Sequence, residues 1–489
     1  MASFLGIDVG TSSVKAVLID AAQALLAEAS MPVAVSRPQP LWSEQDPDDW
    51  WRAARSVIGS VREAAPGAFA ALEGIGLSGQ QHSATLIDAA GEVLRPAILW
   101  NDGRCGEECA LLRASMPDYA KRAFNVPMPG FTAPKLMWVA RHEPELFARI
   151  ARVLLPKDVL RWKLTGAYVS DMSDSAGTLW MDVARRRWDD DLLEAGGMRR
   201  DQMPDLVEGS DVSAYLAPDL AAAFGLPGRR IPVAGGGGDN ASSAVGIGAS
   251  AHGDGFLSLG TSGVLFVTTD RPVTLPERTL HGFCHALPGR WHGMAVALSA
   301  GFAVSWAASL TGKGNDIGGF IAAAETFAVD PRRRATAPIF LPYLTGERTP
   351  HNDPQATGVF AGLRAEHDVG AIAYAVLEGV GFALADCLDV LVAAGARPRS
   401  CMIVGGGARS AYWNQLLADI LDITLDLPVG ADRGAAFGAA RLGMMAAGAG
   451  SLGDVCAKPA VQAHFSPRGT DGAFFAERRA RFARLYGGG

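Results

Sequence analysis

One short segment of this chain recurs half a chain later, and that repeat limits the folds available to it. IDVGTSSV at 7–14 returns as LSLGTSGV at 257–264, an offset of 250 residues in a chain of 489. Each copy reads as an apolar strand, a Gly-Thr-Ser turn and a second strand, the pattern of a duplicated domain whose facing turns approach one phosphate chain. A chain of this length exceeds what a single core grows to, so two domains with a deep cleft between them are expected. The copies differ at one informative place. Asp8 in the first is Ser258 in the second, so only the first turn carries a carboxylate, as suits a chain in which one half holds a metal and the other cradles phosphate.

Around the repeat, strand-like and helix-like runs alternate, which predicts an α/β class with mixed sheets. The segment after the first turn reads as a hairpin meander. DPDDWWRAARSVIGSVREA reads as a helix with Asp46 as N-cap and Pro47 at its first position, its apolar residues three to four apart. Gly293–Gly312 has no charged residue, but Ala, Ser and Gly dominate it, so a buried strand running into a buried helix is expected in place of a membrane span. The opening FLGIDVG has an acidic residue inside its apolar stretch, unlike a secretory signal. A formal charge of −7 lacks the basic excess that neutralises nucleic-acid phosphates. Six scattered cysteines fit reduced thiols and a cytoplasmic location. Cys105 and Cys109 have helical spacing, but no second ligand pair follows to complete a metal site.

Four stretches carry chemistry. In GIDVGTSSVK, backbone amides and the hydroxyls of Thr11 and Ser12 follow a tight turn where they can bind phosphate oxygens, with Asp8 ordering magnesium through water; an ordinary hairpin turn is the plain alternative. Gly235–Gly238 follow a strand and lead through Asp239 and Asn240 into a helix. A carboxylate there can take the proton of a hydroxyl attacking a γ-phosphate, or simply cap the helix. Gly405, Gly406 and Gly407 form a strand-to-helix turn that lets backbone lie against a nucleotide, or that only packs strand closely on helix, and ADRGAAFGAARLG reads as a small-residue helix suited to pack beneath such a site, or equally as a merely buried helix. His82 beside two amides, and Trp100 with Asp102 in WNDGR, suit a polyol, whose C–H face packs on an aromatic while its hydroxyls need amides and charges. Glu347 and Arg348 read as a pair within an ordered loop. No GxxxxGK[ST] occurs, and the GIG at 246–248 follows helical sequence, so P-loop and dinucleotide-fingerprint folds are set aside.

Together these motifs resemble the FGGY family of carbohydrate kinases along nearly the whole chain. GFTAPKLMWVARH at 130–142 is similar to its first signature, and Gly358–Leu363 with Ala375–Glu378 to its second, except that Ala371 stands where a polar residue is usual. Within the family, WSEQDPDDWW, ILWNDGRC, LLPKDVLRWKLTG and LPYLTGERTPHNDPQA look most like bacterial xylulose kinases. The resemblance implies a duplicated actin-like (ribonuclease H-like) ATPase fold, with two domains around a deep cleft. Residues 1–248 would form the sugar-binding, catalytic side and 249–489 the nucleotide side. It implies transfer of the ATP γ-phosphate, assisted by Mg2+, to O5 of D-xylulose. Asp239 would accept the proton, and Asp8 and Asp239 would lie at the metal. Thr11, Ser12, Gly260 and Thr261 would contact phosphate; Gly405, Gly406 and Arg409 would line the nucleotide; Gln81, His82, Asn240, Trp100 and Asp102 would meet the sugar. Many relatives are dimers, which leaves a homodimer open.

One departure bears on substrate. Xylulose kinases usually read GQMHG where this chain has GQQHS at 79–83, so Gln81 and Ser83 keep another pentulose or an alditol (ribulose, xylitol, arabitol) in play. A non-catalytic sugar sensor on the same fold would be marked by loss of the base, yet Asp8 and Asp239 both sit in intact motifs. A chaperone-type ATPase would need a peptide-binding domain, for which no residues are left over.

Overall fold

The structure, a computed structural model, describes residues 2–430 and 434–487. Its two halves are built on one plan. In the first, Ser3–Val9 pairs antiparallel with Ser13–Asp20, which pairs antiparallel with Leu25–Pro32, while Leu72–Gly79 joins parallel on the other side. In the second, Asp254–Leu259 pairs antiparallel with Gly263–Thr269, which pairs antiparallel with Trp291–Ala297, and Ser400–Val404 joins parallel. Each set sits in a seven-stranded sheet. The sequence repeat is therefore a structural one: both turns close with the glycine amide donating to the carbonyl of a serine, Gly10 to Ser13 at 3.0 Å and Gly260 to Ser262 at 3.1 Å.

The helix Pro47–Ala64 forms as its sequence predicts. The Asp46 side chain accepts from the Asp48 amide, and Trp50, Ala53, Ala54, Val57, Ile58 and Val61 form the buried stripe. Spacing of three and four puts these residues on one face, which covers the first sheet. Burying each large member of that stripe contributes about 1.5–3 kcal/mol. The second half is organised around the 25-residue helix Val369–Ala393, almost wholly apolar. Its one buried carboxylate, Glu378, is met by Arg478 in a two-pronged pair at 2.6 Å and by the Tyr374 hydroxyl at 3.0 Å. The uncharged stretch 293–312 resolves into the end of the strand Trp291–Ala297 and the helix Gly301–Leu310. Among the described residues no helix is long and apolar enough to cross a membrane.

The small-residue helix corrects one expectation. Gly434–Ala446 does not lie beneath the Gly405–Gly407 turn but packs on the first sheet, against Ser3–Val9 and Leu72–Gly79, and against the helix Asp239–Gly246; Ala431, Asp432 and Arg433 of the predicted stretch lie outside the described residues. Its glycines and alanines are explained by backbone proximity. A Cβ built on Gly438 would overlap the carbonyl of Ser242, and one on Gly76 the carbonyl of Ala439. This C-terminal helix thus seats the helix Asp239–Gly246 against the N-terminal sheet. Gly438→Ala should lower stability by about 1–3 kcal/mol, since only backbone movement can make room, and a denaturant unfolding midpoint would check it.

Candidate active site

The glycine-rich segment leading to Asp239 begins where Pro232–Ala234 ends. Gly236 takes a left-handed backbone (φ +76°), and Gly237 and Gly238 then pair with Ser78 and Gly79 of the central strand. Glycine is required here because the turn needs both positive φ and close approach: a Cβ on Gly238 would strike the Gln81 side chain. The Gly238 amide donates to the Ser173 hydroxyl at 3.1 Å, and Asp239 opens the helix Asp239–Gly246. Its Oδ1 accepts from the Asn240 amide at 2.7 Å and from Asn240 Nδ2 at 3.0 Å.

Asp8, at the end of the first strand, lies in register with Lys15 on one side and Ser78 on the other. Burial raises its pKa, a rise moderated by Ser78 and Lys15. Burial, reinforced by the charge of Asp8, raises Asp239 to about 7. Two carboxylates therefore share one low-dielectric site, and Asp8 Oδ1 is buried with no hydrogen-bond partner. An unmatched carboxylate oxygen beside a second carboxylate suits a divalent cation that keeps most of its shell from water and phosphate.

Asp239 and Asn240 line a cavity of about 160 Å3 with Gln81, His82 and Trp100, closed from the second half by His281, Phe283 and Arg348. Lys135, from the first signature, is buried and donates to the carbonyls of Gly130 (2.8 Å) and His82 (3.1 Å), which holds His82 in a left-handed conformation (φ +68°). Gln81 Nε2 reaches the Ser173 carbonyl at 3.4 Å. Ser83, by contrast, is turned to Gln80 and buried away from this cavity, so of the two departures in GQQHS only Gln81 faces it.

A larger groove, about 890 Å3, is lined by Gly260, Thr261, Gly406 and Arg409, with Phe302 and Tyr412 among its apolar walls. Its size suits a nucleotide. Gly405 lines an adjoining cavity that shares Gly406 and Arg409. The second Gly-Thr-Ser turn lies at the junction of the two main spaces: Gly260 and Thr261 face the groove while Ser262 faces the small cavity.

Three expected contacts sit elsewhere. Asp102 does not line the small cavity; its carboxylate accepts from the Ser43 amide at 2.6 Å and from Arg104 at 2.7 and 2.9 Å, and Arg104 in turn stacks 3.6 Å over Trp42. Neither Thr11 nor Ser12 lines either space. The Thr11 hydroxyl donates to Gln80 at 3.2 Å and accepts from Trp100 Nε1 at 2.9 Å, so it fixes the Trp100 ring; Ser12 is exposed. Glu347 and Arg348 form no side-chain pair. Glu347 accepts from the amides of Leu298 (2.9 Å) and Arg348 (2.7 Å), which sends the Arg348 side chain to the cavity wall.

A two-half cleft with a sugar-sized cavity, a nucleotide-sized groove and a glycine turn between them defines a phosphotransferase class. The chain belongs to the FGGY family of carbohydrate kinases. The model of the family's N-terminal domain matches residues 3–246 and that of its C-terminal domain residues 255–447. The chain is 50% identical over 486 residues to a xylulose kinase of Escherichia coli strain K12, covering 99% of this chain and 98% of that one. A xylulose kinase of Klebsiella pneumoniae is 49% identical over 486 residues, again covering 99% of this chain and 98% of that one. Among solved structures, a xylulose kinase from Rhodospirillum rubrum superposes with a TM-score of 0.91 at 31% identity, covering 99% of this chain and 98% of that one.

Proposed function

We propose that this kinase transfers the γ-phosphate of ATP to O5 of D-xylulose in the cytoplasm. The observation that carries the chemistry is Asp239, a carboxylate at the wall of the sugar-sized cavity whose pKa burial and Asp8 raise to about 7. A base with that pKa is matched to neutral pH. Whole-length relatives named as xylulose kinases, at about half identity, support the choice of sugar; six free, buried cysteines support the compartment.

In this reading the sugar occupies the small cavity with its terminal hydroxyl toward Asp239. As that oxygen forms its bond to the γ-phosphorus, Asp239 accepts the hydroxyl proton, and the bond between the γ-phosphorus and the bridging oxygen breaks to release ADP. Gly260 and Thr261 present backbone and hydroxyl to the phosphates, Gly406 and Arg409 line the nucleotide, and Asn240 fixes the Asp239 carboxylate. Asp8 and Asp239 would hold Mg2+, which supplies charge neutralisation for the transferring phosphoryl group when bound.

Because the base must be ionised to accept a proton, kcat/KM for the sugar should fall as pH drops below about 7, by about tenfold per unit once Asp239 is protonated. A pH profile at fixed free magnesium checks this. Raising magnesium should move the acid limb to lower pH, since a cation beside a carboxylate favours its charged form.

An ADP-release assay over D-xylulose, L- and D-ribulose, xylitol, D-arabitol, glycerol and no sugar tests the substrate. Preference for D-xylulose supports the reading. Preference for another polyol keeps the kinase and assigns the change to Gln81, while activity on none of them overturns it.

A further inference from the structure

The small cavity takes an unassigned residue from the second half. His281, on the strand His281–Cys284, lines the space opposite His82. Its Nδ1 lies 2.9 Å from Asn125 Oδ1. Asn125 Nδ2 donates to the carbonyls of Gly282 (2.9 Å) and Ala123 (3.2 Å), and carbonyls only accept, so the amide orientation is fixed. Asn125 Oδ1 must then accept, and His281 Nδ1 must carry the proton. That leaves Nε2 as a lone-pair acceptor, and it is buried with no partner in the protein.

His82 obeys the same logic: its Nδ1 lies 2.7 Å from the Gly177 carbonyl and must donate, which leaves its own Nε2 as an acceptor. Burial, with the charge of Arg348 among the causes, holds both rings neutral. A protein rarely leaves a buried acceptor unmatched unless a ligand meets it. His292 also lacks partners, but it stacks on Phe266 and does not line the cavity.

We propose that His281 is a specificity residue whose Nε2 accepts a hydrogen bond from one hydroxyl of the sugar, with Asn125 as the positioning residue that fixes its tautomer. The sugar is thereby held between an acceptor from each half, His82 and His281, so that recognition of its hydroxyl pattern is shared across the cleft. The inference rests on the carbohydrate kinase reading of this cavity and deepens it.

The test compares D-xylulose with its 1-, 3- and 4-deoxy analogues in the unaltered chain, in His281→Phe, which fills the ring volume without an acceptor, and in His281→Gln, which keeps one. The unaltered chain should favour D-xylulose over all three analogues. His281→Phe should lose roughly 10- to 100-fold in kcat/KM for D-xylulose, mostly through KM, and should cease to discriminate against one analogue while still rejecting the others. His281→Gln should recover part of the loss. Discrimination against all three analogues retained in His281→Phe would overturn the proposal. ADP binding by fluorescence titration certifies folding. Should His281→Phe fail that check, Asn125→Leu carries the comparison: a KM for D-xylulose equal to that of the unaltered chain would overturn the positioning role, and a raised KM at retained kcat supports it. If D-xylulose is not phosphorylated by the unaltered chain, the choice of sugar fails, and the same series run on deoxy forms of the sugar that is phosphorylated decides on His281 separately.

Discussion

Asp239→Ala is expected to lower kcat by roughly 10²- to 10⁴-fold while leaving nucleotide affinity near that of the unaltered chain. The separation follows from where the residue sits: Asp239 lines the small cavity and is not among the residues of the nucleotide groove. Removing it leaves Gly260, Thr261, Gly406 and Arg409 in place for the nucleotide. Asp239→Asn is the sharper variant, because it keeps the shape of the carboxylate and its contacts with Asn240 can partly persist, yet it cannot take a proton. Both should show the same collapse in single-turnover rate, with ADP affinity measured by titration. A variant retaining more than about a tenth of the rate would refute the assignment of Asp239 as base.

Much of this arrangement is legible in the sequence. The Gly-Thr-Ser echo announces the duplicated hairpin because a tight turn between two buried strands leaves few choices of residue, and the structure repeats the antiparallel strand pair around that turn in both halves. Asp239 is legible for a similar reason: four glycines before an acidic helix start exceed what a plain cap requires. The second-half wall of the small cavity is not. His281, Phe283 and Arg348 come from a strand and a loop whose local patterns read as ordinary core and ordinary ion pair, and only the meeting of the two halves brings them into one cavity with His82. HGFCH at 281–285 carried the available signal, a histidine opening an otherwise apolar strand. Asp102 erred the other way. A charged residue beside Trp100 and Asn101 looks like sugar chemistry, but Arg104 two residues on claims the carboxylate. The Gly434–Ala446 helix misled for lack of a partner, since small residues announce close packing without saying against which surface.

The largest stability effect is expected beneath the base, where Lys157→Met should lower unfolding stability by about 3–5 kcal/mol, because it strands buried carboxylates that have no access to water. Lys157 Nζ lies 2.5 Å from Asp158, 2.9 Å from Asp171 and 3.3 Å from Asp174, and all four side chains are fully buried. Arg161 supplies the second cation, 2.6 Å from Asp158. Burial alone would strip Lys157 of its proton, but the three carboxylates outweigh it and raise its pKa, while burial raises that of Asp174. The cluster thus sets two cations, Lys157 and Arg161, among three buried carboxylates. It also holds the catalytic turn: Arg161 donates to the Gly235 carbonyl, and Asp171 accepts from the Ser173 hydroxyl, which in turn receives the Gly238 amide. Losing Lys157 should therefore depress kcat as well as the denaturant midpoint, through a displaced Asp239. Adding Asp171→Asn to Lys157→Met removes one stranded charge and should recover part of the stability, which distinguishes electrostatic stranding from simple loss of packing. A single variant that loses less than about 1 kcal/mol would mean that the cluster tolerates an unpaired charge, and the account of how the base is held would fail with it.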